Sequence, residues 1–476
     1  MKFPLRRLLL PLAAAWLGGI RLPAQPADTF VTVRAPLVVL QHARVIDGLG
    51  HAPLENQTLV LRDGRIAALG ADGSVAIPDG ASSRDLTGKT VLPGLVMVHE
   101  HLFYSSISKG PFHMNEMEFS FPRLYLAAGV TSARTTGSIE PYTDLQVKAM
   151  IDAGTTPGPK LHLTAPYVDG PETGIAQLHG VKDAAEAVRL VHYWADAGFT
   201  SVKVYVNLPH EIMAATIAAA HQRGMQVTGH IGKVGYREAA GLGIDNLEHG
   251  FMAMSDLVPG RKAGDPSNAV NNYRSIENLD PASAEVNDLI QLLIARHVAI
   301  TSTLAIFETF TPGRRVCSQA ELDTLAPPLR ESYLTRWAAI NLQNNPTTRA
   351  AFAKDLLLEA KFFRAGGLLV AGTDPTGYGG CMAGYGSWRA IELLVEAGLT
   401  PVEAIQVATS NGARLLGIAT QTGSVEAGKA ADLIVVNGDP AQAISDLRQA
   451  ETVFKDGVGY DSKKLFDAVK GLVGIQ

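Results

Sequence analysis

An α/β fold, a TIM (β/α)8 barrel with a small β-sandwich domain built from both chain ends, is what the order of residue patterns in this chain predicts. Three observations carry that expectation. From about 93 to 416, short β-rich runs alternate with stretches whose apolar residues recur at helical spacing. Segments of β character flank that region at 37–92 and again at 418–460. Histidine, lysine and aspartate sit at the C-terminal ends of several β-rich runs, where a barrel of this kind keeps its chemistry.

The chain begins with a segment that stands apart. Lys2, Arg6 and Arg7 precede the apolar stretch Leu8 to Gly18, and Leu22-Pro23-Ala24 supplies a small residue at a cleavage point, so residues 1–24 read as a secretory signal peptide. The apolar part is too short for a spanning helix, and an uncleaved anchor is the alternative. An exported protein, periplasmic or secreted, is the expectation. At 476 residues with 46% hydrophobic and 18% charged, the chain can bury a large core. A formal charge of −5 without a basic cluster excludes a nucleic-acid partner. Cys317 and Cys381 are its two cysteines, too few to staple a chain this long. Whether they pair is left open, and neither has metal-type spacing.

Within 37–92, Leu37 to Leu40, Ala43 to Ile46, Thr58 to Leu61 and Arg65 to Leu69 read as strands separated by the turn signals Asp47-Gly48, Asp63-Gly64 and Asp72-Gly73. The barrel strands expected next are the run leading to His99, then Gly129 to Arg134, Lys160 to Ala165, Thr200 to Val206, Gln226 to His230, Ile244 to His249, Val298 to Leu304 and Leu368 to Thr373. Helical stretches such as Ala184 to Ala197 and Glu211 to Gln222 lie between them. The connections 250–283 and 305–350, with Pro259-Gly260, Pro312-Gly313 and Pro327-Pro328, read as long loops above the barrel mouth that shape substrate access. After 418, Gly423 to Val436 is a turn and a buried strand, and Thr452 to Gly457 is another short strand.

The chemistry starts at His99-Glu100-His101. Side chains two apart on a strand leave from the same face, so both imidazoles converge on one point, as a divalent metal requires. In Ser201-Val202-Lys203-Val204-Tyr205, Lys203 shares a face with Ser201 and Tyr205. A lysine facing into a barrel is costly if left charged and unpaired. Carboxylation of its amine would turn it into an anionic oxygen donor able to bridge two cations; pairing with a buried carboxylate is the alternative. His230, His249 and Asp374 end the fifth, sixth and eighth runs. Any one of them alone reads as a strand-end histidine or a turn-forming aspartate, but chance placement of 13 histidines would seldom give this order.

Taken together, His99, His101, Lys203, His230, His249 and Asp374 resemble the metal site of the amidohydrolase superfamily in its binuclear form. The stretch Thr400 to Arg414, with the turn and strand Gly423 to Val436, resembles that superfamily's C-terminal signature. The likeness extends over about 40–460, and within the superfamily it is to the imidazolonepropionase-like and Xaa-Pro dipeptidase branch, which includes ochratoxin-hydrolysing amidases. Three positions depart from the common pattern, Met97, Thr135 and Gly229, and none removes a ligand.

The resemblance implies two divalent metal ions, zinc as their expected identity, and a carboxylated Lys203. It also implies hydrolysis of an amide in N-acyl amino acids or dipeptides, with ochratoxin A as one candidate, and assembly into a homo-oligomer of up to eight chains. In that scheme Asp374 acts as general base and acid, while Tyr205 either hydrogen-bonds the developing oxyanion or a substrate carboxylate, or packs with its hydroxyl in a loop network. Tyr104 is a further pocket candidate. A one-metal hydrolase of cyclic amides and a silent binding protein are the alternatives.

Overall fold

The structure, a computed structural model, describes residues 27–106, 113–173, 175, 177–265, 269–315, 317–376, 378 and 380–474, so the signal peptide expected at 1–24 lies outside the described residues. Eight parallel strands run in chain order as Leu95–Glu100, Val130–Thr135, Lys160–His162, Ser201–Val204, Gln226–Gly229, Asn246–Glu248, Ala299–Ser302 and Leu369–Ala371. They pair as an arc of three and an arc of five. The arcs join where Thr164 and Val168 bridge in parallel to Ser201 and Val204. On the other side, the N–H groups of Thr373 and Asp374 donate to the His99 carbonyl at 3.1 and 2.9 Å, which closes the barrel. Val202, Val227, Leu247 and Ile300 are fully buried, as expected of strands covered by helices.

Closure between the eighth and first strands depends on Gly372, where an added Cβ would stand 2.3 Å from the His99 Cβ. No larger residue lets the two backbones come this close.

Both ends of the chain contribute to one nine-stranded sheet beside the barrel. Its centre is the antiparallel pair Thr90–Pro93 and Leu433–Val436, and Thr90–Pro93 leads directly into the first barrel strand. Leu40, Leu59, Ile66, Val91, Leu433 and Phe454 form its core. Two of its hairpins turn on Asp-Gly pairs: Asp63-Gly64 with φ of 49° and 78°, and Asp456-Gly457 with 50° and 75°. Both central residues are left-handed, as a two-residue turn between twisted strands requires. Lys160, at the start of the third barrel strand, ties the two parts together through Asp432 at 2.9 Å and Asp456 at 2.6 Å.

The connections 250–283 and 305–350 are corrected by the structure, because much of each is helix: Ala269–Asn278 in the first, and Leu304–Thr309, Gln319–Thr324 and Pro327–Gln343 in the second. Pro327 and Pro328 occupy the first helical positions, where a missing N–H costs nothing, so they open a helix. Asn344, with φ of 48°, breaks it from the next helix, Pro346–Arg364. Cys317 and Cys381 are both buried and free. Among the described residues no helix is long and apolar enough to cross a membrane.

Candidate metal centre and active site

Every residue singled out for the metal site lines a single cavity of about 200 Å3 at the C-terminal ends of the strands: His99, His101, Lys203, His230, His249 and Asp374. His99 and Lys203 lie on strands one and four, His101 lies one residue past strand one, and the other three follow the ends of strands five, six and eight. Among them, His99, His249 and Asp374 offer ligand atoms that all lie within 4.8 Å of one another. Asp374 Oδ1 is 3.4 Å from His101 Nε2 and 3.7 Å from His99 Nε2, while Oδ2 is 3.8 Å from His249 Nδ1. Donors about 2.1 Å from a zinc-type ion stand roughly 3.4 Å apart in a tetrahedron, so these spacings fit a cation held among them. The His230 ring stands 4.3 Å from that of His249.

Two of these side chains reach the cavity through unusual backbone. His249 has φ of 72° and Asp374 of 49°, both in the left-handed region that non-glycine residues seldom occupy. Such strain persists where the surroundings over-determine it, and it concentrates at functional sites.

The protonation states suit ligation. Burial, with the facing Lys203, pushes His230 down to about 3. Burial also lowers His101, against the pull of Asp374, and lowers His249 well below its ordinary value, helped by His230 and His99. These three rings are therefore neutral at neutral pH and keep a nitrogen lone pair. His101 Nδ1 is buried with no hydrogen-bond partner. Burial works against a charge on Asp374, but His99 and His101 outweigh it and hold the carboxyl below its usual range. Burial brings the Lys203 amine down to about 8, despite Glu248 and Asp374 nearby.

Behind the cavity lies a charged layer that residue patterns alone do not assign. Glu248 Oε2 stands 2.6 Å from His99 Nδ1, and because a carboxylate can only accept, His99 donates there and leaves Nε2 for the cavity. The other oxygen, Oε1, accepts from Arg134 at 2.8 Å and from Thr228. Arg134 also donates to Asn246 at 2.6 Å and to the Val98 carbonyl at 2.9 Å. Glu248 and Arg134 are completely buried. Burial disfavours the Glu248 charge, but His99, Lys203 and Arg134 more than reverse that and keep it ionised. Alternation along strand six puts Asn246 and Glu248 on the same face, which is the signal that could have found them. It would also have sent His249 the other way; the left-handed turn at His249 brings both residues to the site.

Tyr205 lines the cavity, with its ring 5.0 Å from Tyr167 and 5.2 Å from His230. Tyr104 does not reach it, being fully buried with its ring 5.4 Å from Phe121, because strand alternation beyond Phe103 turns it into the core. Among the described residues, the segment 250–283 supplies none of the lining, whereas 305–350 supplies Ile306, Phe307 and Phe310.

Comparison with known proteins agrees with this geometry. The profile of the amidohydrolase family matches residues 90–459. An imidazolonepropionase of Porphyromonas gingivalis is 24% identical over 409 residues, spanning 83% of this chain and 86% of its own. Two solved structures show the same fold. A Xaa-Pro dipeptidase with bound methionine has a TM-score of 0.68 at 21% identity, over 89% of this chain and all of that one (100%). An ochratoxinase of A. niger has a TM-score of 0.65 at 18% identity, over 93% of this chain and 100% of that one. With a family match over most of its length and a buried His-His-Asp group fit for a metal, the chain belongs to the amidohydrolase family, the metal-dependent hydrolases of carbon–nitrogen bonds.

Proposed function

We propose that this chain is an exported, binuclear amidohydrolase that cleaves an amide bond in N-acyl amino acids or dipeptides, with ochratoxin A among the amides to be tried. The observation that carries the reading is the meeting of four imidazoles, one lysine and one carboxylate in a single cavity. Two divalent ions, zinc by ligand type, would be held by His99, His101, His230, His249, Asp374 and Lys203, the last as its carbamate. The uncharged Lys203 amine adds to carbon dioxide, forming an N–C bond and releasing one proton, and the product carries two oxygen donors in place of a buried ammonium. When bound, such ions would lower the pKa of a water from about 15.7 towards roughly 7 and polarise a carbonyl.

The chain's own residues then manage the proton and the substrate. Asp374, ionised and facing three of the histidines, accepts the proton of the attacking water and returns it to the leaving nitrogen. Tyr205, whose ring is wedged between Tyr167 and His230, presents its hydroxyl to the developing oxyanion. Glu248 and Arg134 keep His99 in one tautomer.

A second reading, a one-metal hydrolase of cyclic amides, rests on the fact that only His99, His249 and Asp374 form a mutual group within 4.8 Å among the described residues. Metal analysis separates the two: two ions per chain support the first and one supports the second. The deciding variant is Asp374→Asn, assayed on N-acyl amino acids and Xaa-Pro dipeptides. It should abolish hydrolysis while metal content stays near two per chain, and unchanged turnover would refute the role given to Asp374. Export and oligomerisation belong to the same proposal, and are tested by N-terminal sequencing of the secreted chain and by its native mass.

A further inference from the structure

The cavity has two unlike parts. Its floor is the donor set, and its walls are largely apolar. On one side stand Ile306, Phe307 and Phe310, carried by the helix Leu304–Thr309 and the residue after it. Phe103 and Tyr167, with Tyr205 packed against them, form a separate apolar cluster in the lining. The rings are fixed by their neighbours. Phe307 meets His249 edge-on at 5.7 Å, Phe310 meets Tyr378 at 5.6 Å, and Phe103 lies 4.3 Å from His101. Walls held this way lose little freedom when a ligand packs against them.

From this we infer that the substrate carries an aromatic or large aliphatic group on the side of its scissile amide that faces the helix Leu304–Thr309, with Phe307 and Phe310 setting the preference. The inference rests on the amidohydrolase reading and names its substrate class. A charged group set against this wall would give up its hydration without gaining a partner. Among the described residues, Lys203 is the only lysine in the lining and no arginine is present. Among the described lining residues outside the donor set, Tyr167, Tyr205 and Thr376 carry hydroxyls, and that of Thr376 already donates to Asp374 at 2.9 Å. A cavity of about 200 Å3 is also smaller than the roughly 300–1,000 Å3 usual for ligand sites, which suits a group of side-chain size.

Three hydroxamates of common metal-binding head test this on the zinc-loaded full chain by titration calorimetry: acetohydroxamate, 3-phenylpropionohydroxamate and succinyl monohydroxamate. The phenyl compound should bind at least fivefold tighter than acetohydroxamate, and the succinyl compound no tighter than acetohydroxamate. In Phe307→Ala and Phe310→Ala the phenyl advantage should fall below twofold, and Phe307→Leu should restore part of it; a merely structural role would shift all three affinities together. A phenyl advantage below fivefold in the wild type, or tightest binding by the succinyl compound, overturns the inference while acetohydroxamate binding leaves the amidohydrolase reading standing. Failure of all three to bind a chain that takes up no metal overturns that reading, and this inference with it.

Discussion

Glu248 shows how a residue that touches no substrate can govern the site. It takes one hydrogen bond from His99 and one from Arg134, all three buried. Glu248→Gln removes the counter-charge of a buried guanidinium, a loss of about 3–5 kcal/mol in comparable buried pairs. It also frees the His99 tautomer, and losses of outer-layer partners of this kind weaken metal binding by roughly 10–100-fold. Denaturant unfolding and competition with a chelator measure the two effects separately; a variant unchanged in both would show the network to be incidental. Glu248 is visible in the sequence as the neighbour of His249, yet its role is not, because a partner on another strand is decided by barrel closure. His99 and His101 are legible for the opposite reason: their convergence needs only the two-residue period of one strand.

At the scale of single elements, the eighth strand and the helix Pro346–Arg364 carry the sharpest expectations. Gly372→Ala would force a Cβ to within 2.3 Å of the His99 Cβ. Overpacking of this kind costs about 1–3 kcal/mol, and here the displacement acts on the strand that bears His99, so thermal stability and metal content should fall together. The helix places Asp355 and Glu359 one turn apart in the interior, both fully buried. Burial raises Asp355 above its ordinary value, and burial together with Asp355 raises Glu359 well above its own. A carboxyl raised on folding contributes fully below its unfolded pKa of about 4.3, and that contribution is lost as pH rises toward the folded value. Glu359→Gln should therefore gain thermal midpoint relative to the wild type as pH increases from 5 to 8, and a difference that is flat across that range would refute the assignment. The helices within 305–350 escape a reading by residue pattern because Pro327-Pro328 and Pro346 look like breakers. At helix starts the same residues are well placed, and which role a proline takes depends on the contacts made by the residues after it.

At the scale of the whole molecule, the nine-stranded sheet and the barrel depend on each other. Leu433–Val436 pairs along Thr90–Pro93, which runs straight into the strand bearing His99. Removing residues 418–476 would strip that pairing, leave Val91 and Leu92 exposed, and take away the Asp432 and Asp456 partners of Lys160. The truncated chain is expected to be insoluble or unable to retain metal, as expression and metal analysis would report. A soluble, metal-loaded barrel would show that the sheet is dispensable.

The sequence by itself determined the alternation of strands and helices, the assembly of a barrel, and the donor residue types that meet in its cavity, with their order along the strands. Each of these comes from local periodicity and residue chemistry, which need no knowledge of distant contacts. Only the tertiary structure decided that left-handed backbone turns His249 and Asp374 into the cavity, that Glu248 and Arg134 lock His99, and that Phe307 and Phe310 wall the site. Those outcomes depend on segments far apart in the chain meeting as the barrel closes, and closure is a property of all eight strands together, written in no single stretch.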